Sequence, residues 1–347
     1  MLNLFLKSIK QLDAGKAQNI DKLYSNRNTS VYGGSIERGK VATKNVIKIY
    51  NRGSFDSAAN ELKYLKLLET SDYFPDLIEY GIHVEGESYY EPIMYFIMPQ
   101  YDYTFYDFIR TDIISSKKLG LSIAQQWDIH AGIMKSVLYG LEYMHTLGIY
   151  HGDIKPANIM YCGQNFTRIK IIDFEQVGVE GEDSEAWGTD VYNAPESLIN
   201  GKFNQATDIW QFAVFCHEIT HGLCIGDIYE TEYRYGYTTE TTDTGSTECS
   251  ETSMERSKQI SEVLLSIYLY LGPNTHNCGG AYETFYDQAG HPYNPDIETA
   301  PRAIGECPTK YKNFLLRGLS YDAAQRPSAR QYLDDPWLKR AASMISQ

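Results

Sequence analysis

The hydrophobic pattern of this chain changes its period at Pro99. Before it, from Leu23 to Tyr50, short runs (Ser30-Val31-Tyr32, Lys40-Val41-Ala42 and Val46-Ile47-Lys48-Ile49-Tyr50) are separated by Gly33-Gly34, Gly39 and Asn45, which predicts three antiparallel strands. Two further strands are expected at Leu77 to Val84 and at Ile93 to Met98. Between them, Ser54 to Glu69 carries Leu62, Leu65 and Leu68 at helical spacing, and Pro75 closes the segment. After Pro99 the helical period takes over, at Thr104 to Arg110 and at Ile123 to Leu147, with Ile129, Ile133, Val137, Leu141 and Met144 on one face. Helices return at Gln259 to Leu271, Tyr311 to Leu319 and Ser328 to Leu333. Strands first and helices afterwards imply an α+β fold, and 347 residues are enough for two separate cores. The division expected is an N-terminal extension over 1–20, a small β-rich lobe over 21–98, a hinge over 99–103, a larger helical lobe over 104–338 and a tail over 339–347.

Composition narrows the partners. A net charge of -14 weighs against a nucleic-acid binder or a membrane-surface protein, since both need basic faces; basic protein segments are the natural partners. The six cysteines include no C-x-x-C pair, so free thiols in a reducing compartment are expected. Lys7 and Lys10 interrupt the apolar start, and no run reaches the roughly 18 apolar residues of a membrane span. A soluble intracellular protein, cytoplasmic or nuclear, is the expectation. Segment 229–258, rich in Thr, Ser and Glu, reads as a mobile surface insertion.

The densest chemistry follows the long helix, in His151-Gly152-Asp153-Ile154-Lys155-Pro156-Ala157-Asn158. Further on, the apolar run Ile169 to Ile172 delivers Asp173-Phe174 at its end. Moving a γ-phosphoryl group asks little covalent chemistry of a protein. It asks for oxygen ligands to metal ions, a cation on the phosphates and a base aimed at the incoming hydroxyl. Asp153 is the candidate base and Lys155 the cation at the γ-phosphate. Asn158 and Asp173 are the candidate magnesium ligands, with His151 packed beneath. An Asp-Phe pair or a lysine on a strand is commonplace by itself; the eight-residue cluster is far more specific.

Together these residues resemble the eukaryotic-type protein kinases of the Ser/Thr type, over roughly residues 20 to 338. The resemblance implies a two-lobed kinase fold, ATP with Mg²⁺ or Mn²⁺, and protein substrates. In it, Lys48 of Val46-Ile47-Lys48 holds the α- and β-phosphates, and Glu61 is the helix glutamate that pairs with that lysine. Val31 lies over the nucleotide, Met98 lines the back of the adenine pocket, and Pro99 C=O and Tyr101 N–H meet the base edge; a mere turn at Pro99 is the competing reading. Gly188-Thr189 to Ala194-Pro195-Glu196 resembles the end of an activation segment, and Asp208-Ile209-Trp210 the start of a large buried helix. Arg326 closes an ion pair on Glu196, which as a surface pair would be worth at most about 1 kcal/mol. Lys155, two residues after the base, is the usual mark of Ser/Thr kinases. Cys224-Ile225-Gly226-Asp227 and Gln259 to Pro273 are similar to the cyclin-dependent and mitogen-activated kinases, although that group usually has arginine where Asn193 stands.

Three departures bear on function. Tyr24, Asn26 and Thr29 stand where the family's loop has three glycines, which puts ATP affinity in question; an alternative register, using Gly33-Gly34 as the loop, leaves little chain before Lys48. Gly152 replaces the arginine of H-R-D and so removes the cation that receives a phosphorylated activation loop. Glu175 replaces the glycine of D-F-G. Glu180, Glu182, Asp183 and Glu185 make the following segment acidic, and two readings stand level there: attraction of basic substrate residues, or a solvated loop. The sequence thus points to a serine/threonine protein kinase not controlled by activation-loop phosphorylation. The alternative is a pseudokinase acting as a nucleotide-binding or scaffolding module. A small-molecule kinase fits less well, because Gly188 to Glu196 and Arg326 follow the protein-kinase pattern.

Overall fold

The structure, a computed structural model, describes residues 16–38, 41–51, 53–83, 93–111, 120–163, 165–183, 186–222 and 308–339. The expected insertion at 229–258, the helix expected at Gln259 to Leu271, Glu185 and the stretch similar to the cyclin-dependent group lie outside the described residues. Cys162 and Cys216 are free thiols. By contacts the chain forms two compact units, Met1–Asp102 with Lys170–Val177, and Tyr103–Ile169 with Gly178–Gln347. The first boundary falls in the linker where the hydrophobic period changes. The assignment of Lys170–Val177, which carries Asp173, to the first unit departs from the linear division expected above.

In the first unit, β1 (Lys16–Ser25), β2 (Thr29–Arg38), β3 (Val41–Tyr50), β4 (Glu79–His83) and β5 (Ile93–Pro99) form an antiparallel sheet in the order β1-β2-β3-β5-β4, and α1 (Phe55–Leu68) follows β3. Strand β1 begins inside the stretch read as an extension, where a polar sequence gives little strand signal. Runs expected as two strands, at 40–42 and 46–50, are one strand: Asn45 Nδ2 donates to Thr43 O at 2.7 Å, so the polar residue is satisfied without a turn. Gly33 and Gly34 sit inside β2 opposite Val46 and Asn45, which rules out the alternative loop register. The β1–β2 turn is Asn26 to Asn28. Asn26 Oδ1 there accepts from Asn28 N at 2.9 Å and Thr29 N at 2.6 Å, and Asn51 Nδ2 holds Arg27 O at 2.8 Å.

Side-chain alternation decides what β3 presents on each face. Ile47 and Ile49 join Tyr32, Ile36, Tyr95 and Ile97 in one core cluster. Lys48 and Tyr50 point to the opposite face and are also buried. Helix α1 buries Ala58, Glu61, Tyr64, Leu65 and Leu68, so a carboxylate occupies a position on the apolar stripe. A charge there requires a partner.

In the second unit, β6 (Tyr103–Thr104), α2 (Phe105–Thr111), α3 (Ile123–Thr146), β7 (Ile149–Tyr150), β8 (Ile159–Cys162), β9 (Asn165–Ile171), β10 (Gly178–Val179), α4 (Pro195–Asn200), α5 (Gln205–His221), α6 (Thr309–Gly318) and α7 (Ala329–Leu333) follow in order, the last two residues of β9 belonging to the first unit. Capping boxes Ser122/Gln125 and Asn204/Thr207 start α3 and α5, and Gly222 ends α5 in the left-handed conformation. Helix α5 is buried from Thr207 to His221. Trp127, Tyr311 and Trp337 pack with ring centroids 5.0 to 5.4 Å apart. Among the described residues no helix is long and apolar enough to cross a membrane.

Candidate active site

The first unit gathers one cation and three carboxylates. Lys48 Nζ lies 2.6 Å from Glu61 Oε2, 3.0 Å from Asp173 Oδ1 and 3.1 Å from Glu175 Oε1. The Tyr50 hydroxyl, two residues on and therefore on the same face of β3, also donates to Glu61. The segment that brings Asp173 is held at several points. Ile171 N donates to Tyr73 O at 2.8 Å, Lys170 Nζ to Phe74 O at 2.8 Å, and Phe174 meets Phe74 edge-on with centroids 5.9 Å apart. Asn60 Nδ2 donates to Glu175 O and Val177 O, each at 3.3 Å. Among the described residues Asp173 is the one non-glycine with positive φ, 72°, a strained conformation of the kind found where surroundings over-determine the backbone.

Charge in this cluster is out of balance. Burial alone would lower Lys48, yet the carboxylates of Asp173, Glu61 and Glu175 hold it well above the ordinary lysine range. Burial pushes Glu61 up to about 7 against the pull of Lys48, and Asp173 and Glu175 add to the rise. Burial and the Glu61 carboxylate keep the Tyr50 phenol protonated and hence a donor.

The second unit holds a carboxylate with donors on both of its oxygens. Asp153 Oδ2 accepts from Lys155 Nζ at 2.7 Å and Asn158 Nδ2 at 2.9 Å, while Oδ1 accepts from Thr189 Oγ1 at 2.7 Å. Lys155 Nζ also reaches Thr189 Oγ1, at 2.6 Å. The loop backbone rests on α5. Asp208 accepts from His151 N and Gly152 N, both at 2.8 Å, and from His145 Nε2 at 2.9 Å. Gln211, one turn further along the helix, accepts from Ile154 N and donates to Gly152 O, both at 2.9 Å. Gly152 has φ 80°, a conformation in which glycine avoids the penalty that any side chain would incur. His151 is fully buried below the loop.

Two further groupings bear on the sequence reading. Arg326 makes a two-pronged pair with Glu196, at 2.7 and 2.8 Å, and its side chain is wholly buried, so the pair is structural and interior. Glu180 Oε2 accepts from Gln205 N at 2.8 Å and so caps the start of α5, while Glu182 and Asp183 are exposed.

Of the remaining candidate residues, Val31 pairs across the sheet with Lys48. Met98 is buried near the end of β5, Pro99 closes that strand, and Tyr101 is half-buried in the linker after it. Gln100 N is engaged by Lys44 O at 3.1 Å. The structure brings Lys48, Glu61 and Asp173 together in one unit, and Asp153, Lys155 and Asn158 together in the other. Sequence reasoning missed Tyr50, Asn60 and Gln211. Position offered a signal for two of them: Tyr50 is two residues from a strand lysine, and Gln211 is a polar residue one turn after Asp208 in an otherwise apolar helix.

Comparison with known proteins bears on this arrangement. The family described as protein kinase domain matches residues 28–338. The chain is 36% identical over 93 residues to cGMP-dependent protein kinase, isozyme 1, of Drosophila melanogaster, covering 26% of this chain and 12% of that protein. It is likewise 36% identical over 93 residues to smooth muscle myosin light chain kinase of Gallus gallus, covering 26% and 5%. It is 24% identical over 212 residues to the MAP kinase kinase MKK1/SSP32 of Saccharomyces cerevisiae, covering 60% and 32%. The matches thus span a third or less of the length of these relatives.

Proposed function

The chain belongs to the protein kinase domain family, and on that premise we propose that it transfers the γ-phosphate of ATP, with Mg²⁺, to serine or threonine hydroxyls of proteins. The observation that carries this reading is the Asp153 network. Its carboxylate is fixed by donors from Lys155, Asn158 and Thr189 and is buried to 5% exposure. Fixed in this way, Asp153 orients the acceptor hydroxyl and takes its proton, and Lys155 supplies positive charge beside it.

The chain's residues fit a magnesium nucleotide. Oxygens of Glu61, Asp173 and Glu175 lie within 4.8 Å of one another and are the hard donors that magnesium accepts. Asn158 uses its Nδ2 on Asp153 O and Oδ2, which leaves the amide oxygen as the atom suited to a cation. In the first unit Asp173 would hold a metal ion, Lys48 the phosphates, and Val31, Met98, Pro99 and Tyr101 the base, and in the second unit Asn158 would be the ligand for a second ion. Bound Mg²⁺ supplies charge neutralisation on the phosphates. Lys48 stays protonated for its part because the carboxylates around it favour the ammonium.

Control by a phosphorylated activation loop is not expected, because Gly152 offers no cation to receive the phosphate. A preference for basic substrates would rest on Glu182 and Asp183, since Glu180 is engaged by α5. Replacing both with their amides should lower phosphorylation of basic peptides relative to neutral ones; an unchanged ratio removes that preference from the proposal.

One observation favours the alternative, a pseudokinase. Asn26 Oδ1 takes up the amides of Asn28 and Thr29, so the β1–β2 turn closes on itself and does not present those donors to phosphate. Incorporation of radiolabelled phosphate into generic basic proteins separates the readings, comparing the native chain with Asp153→Asn and Asp173→Ala. Activity in the native chain alone supports the kinase. Equal incorporation in all three sinks it, and a nucleotide-dependent rise in melting temperature without transfer identifies a nucleotide-binding pseudokinase.

A further inference from the structure

Glu61 Oε2 has two donors of different kinds. Lys48 Nζ, at 2.6 Å, ends a flexible stem and divides itself between Glu61 and Asp173 Oδ1, 3.0 Å away. A group that rotates so freely does not by itself fix the carboxylate that has to fix it. The Tyr50 hydroxyl is the other donor. Tyrosine has few rotatable bonds, and this ring is 1% exposed and meets Phe96 edge-on, with centroids 5.5 Å apart. It stands on β3, which is paired on both sides, with β2 and with β5. Helix α1 is tied down beside Glu61, because Asn60 Nδ2 holds Glu175 O and Val177 O, each at 3.3 Å. What this backbone support leaves open is the direction of the Glu61 side chain. The Tyr50 hydroxyl sets it.

We propose that Tyr50 is a positioning residue whose hydroxyl fixes the Glu61 carboxylate, which in turn fixes the Lys48 ammonium, so that the phosphate-binding cation is in place before nucleotide arrives. The inference rests on the reading of Lys48 as that cation, and it gives a task to a residue that the family resemblance leaves without one. Binding to a cation that must first be ordered is weakened by the entropy lost in ordering it. A stiff donor on the strand removes that loss by a short chain of contacts: Tyr50 to Glu61, and Glu61 to Lys48, which lies on the same face of β3 two residues before Tyr50. Anchored through Glu61, the ammonium can exchange its other partners and keep its place. The regulatory meaning is that the Lys48–Glu61 pair is assembled by residues of the first unit, with no phosphorylated segment needed to draw it together.

Tyr50→Phe isolates the hydroxyl, since the ring keeps its packing on Phe96 and its place 5.2 Å from Lys48 Nζ. The test measures the dissociation constant of the full chain for Mg–ATP, together with kcat and the KM for a generic basic protein. The native chain, Tyr50→Phe, Glu61→Met and the double variant are compared, each checked for a cooperative melting transition; Tyr50→Leu and Glu61→Ala serve where a variant does not fold. Tyr50→Phe is expected to raise the Mg–ATP dissociation constant about fivefold or more, with the KM for the protein acceptor kept within about twofold. In the Glu61→Met background, where no carboxylate remains to be held, the same change should move it less than about twofold. A loss of kcat with Mg–ATP affinity unchanged overturns the proposal, because a smaller folded fraction would have that effect, and so does no change at all. An equal rise with and without Glu61 overturns it too, since the hydroxyl would then act through another contact. In each of these cases nucleotide binding by the native chain leaves the reading of Lys48 standing. A native chain that binds no Mg–ATP overturns that reading and this proposal together.

Discussion

The two charged clusters are opposites in stoichiometry. In the first unit one ammonium faces three carboxylates; in the second, one carboxylate faces donors from three side chains. A carboxylate whose oxygens are all engaged is held in one geometry and suits a group that must aim at a proton. An ammonium with surplus anions around it has interchangeable partners and suits a group that must exchange one of them for a ligand. The same few residue types thus build a fixed tool in one place and an exchange site in the other.

The hardest blow to this contrast falls on the Asp153 cluster. Asp153→Asn keeps the size of the side chain and removes its basicity, so phosphate incorporation should fall about 10³-fold while the melting temperature moves by no more than about 2 °C. An enzyme that kept its rate would show that the best-held carboxylate is not the base. Lysine removal should separate the clusters by stability. Lys48→Met strips the buried Glu61 of its counter-ion and should cost about 3 kcal/mol in urea unfolding. Lys155→Met leaves Asp153 with Thr189 and Asn158 as donors and should cost about 1 kcal/mol. Equal losses would erase the distinction.

The second unit also buries histidines in neutral form, His130 on α3 and His217 and His221 on α5. Burial lowers all three, His217 with added repulsion from His221, and His221 falls to about 4. A depressed folded-state value means that the unfolded chain binds the proton first, between about 6.5 and about 4. Stability should therefore fall as pH drops through that window, by about 2 to 3 kcal/mol from His221 alone. Denaturation midpoints that stay flat from pH 7 to 4.5 would remove this element. An effect below that of His221 is expected at Gly152, where Gly152→Ala forces a side chain into the left-handed region and should cost about 1 to 2 kcal/mol. A neutral result there would mean that the loop relaxes freely on its support.

How much of this was legible varied with the range of the interaction. Asp153 to Asn158 was readable because its parts are local, and Glu61 was placed by the family resemblance alone, its burial beside Ala58, Leu65 and Leu68 emerging only in the structure. Strand β3 was read as two because Asn45 looks like a break, whereas its amide bonds within its own strand. The join of Lys170–Val177 to the first unit left no trace in periodicity, since it depends on side chains about a hundred positions earlier. Glu175 was visible as a departure from a family pattern. Its partner was not, because a carboxylate in a linear sequence does not reveal which ammonium it will meet.

The support that α5 gives the loop also has a consequence in time. Asp208 and Gln211 reach back 56 to 59 residues to His151, Gly152 and Ile154. On a ribosome adding about 5 to 20 residues per second, Asp153 is made about 3 to 12 seconds before the helix that holds it. During that interval the nascent loop has its chemistry encoded and its scaffold still unwritten. Only after Gln211 has been made can the loop be held as the finished chain holds it.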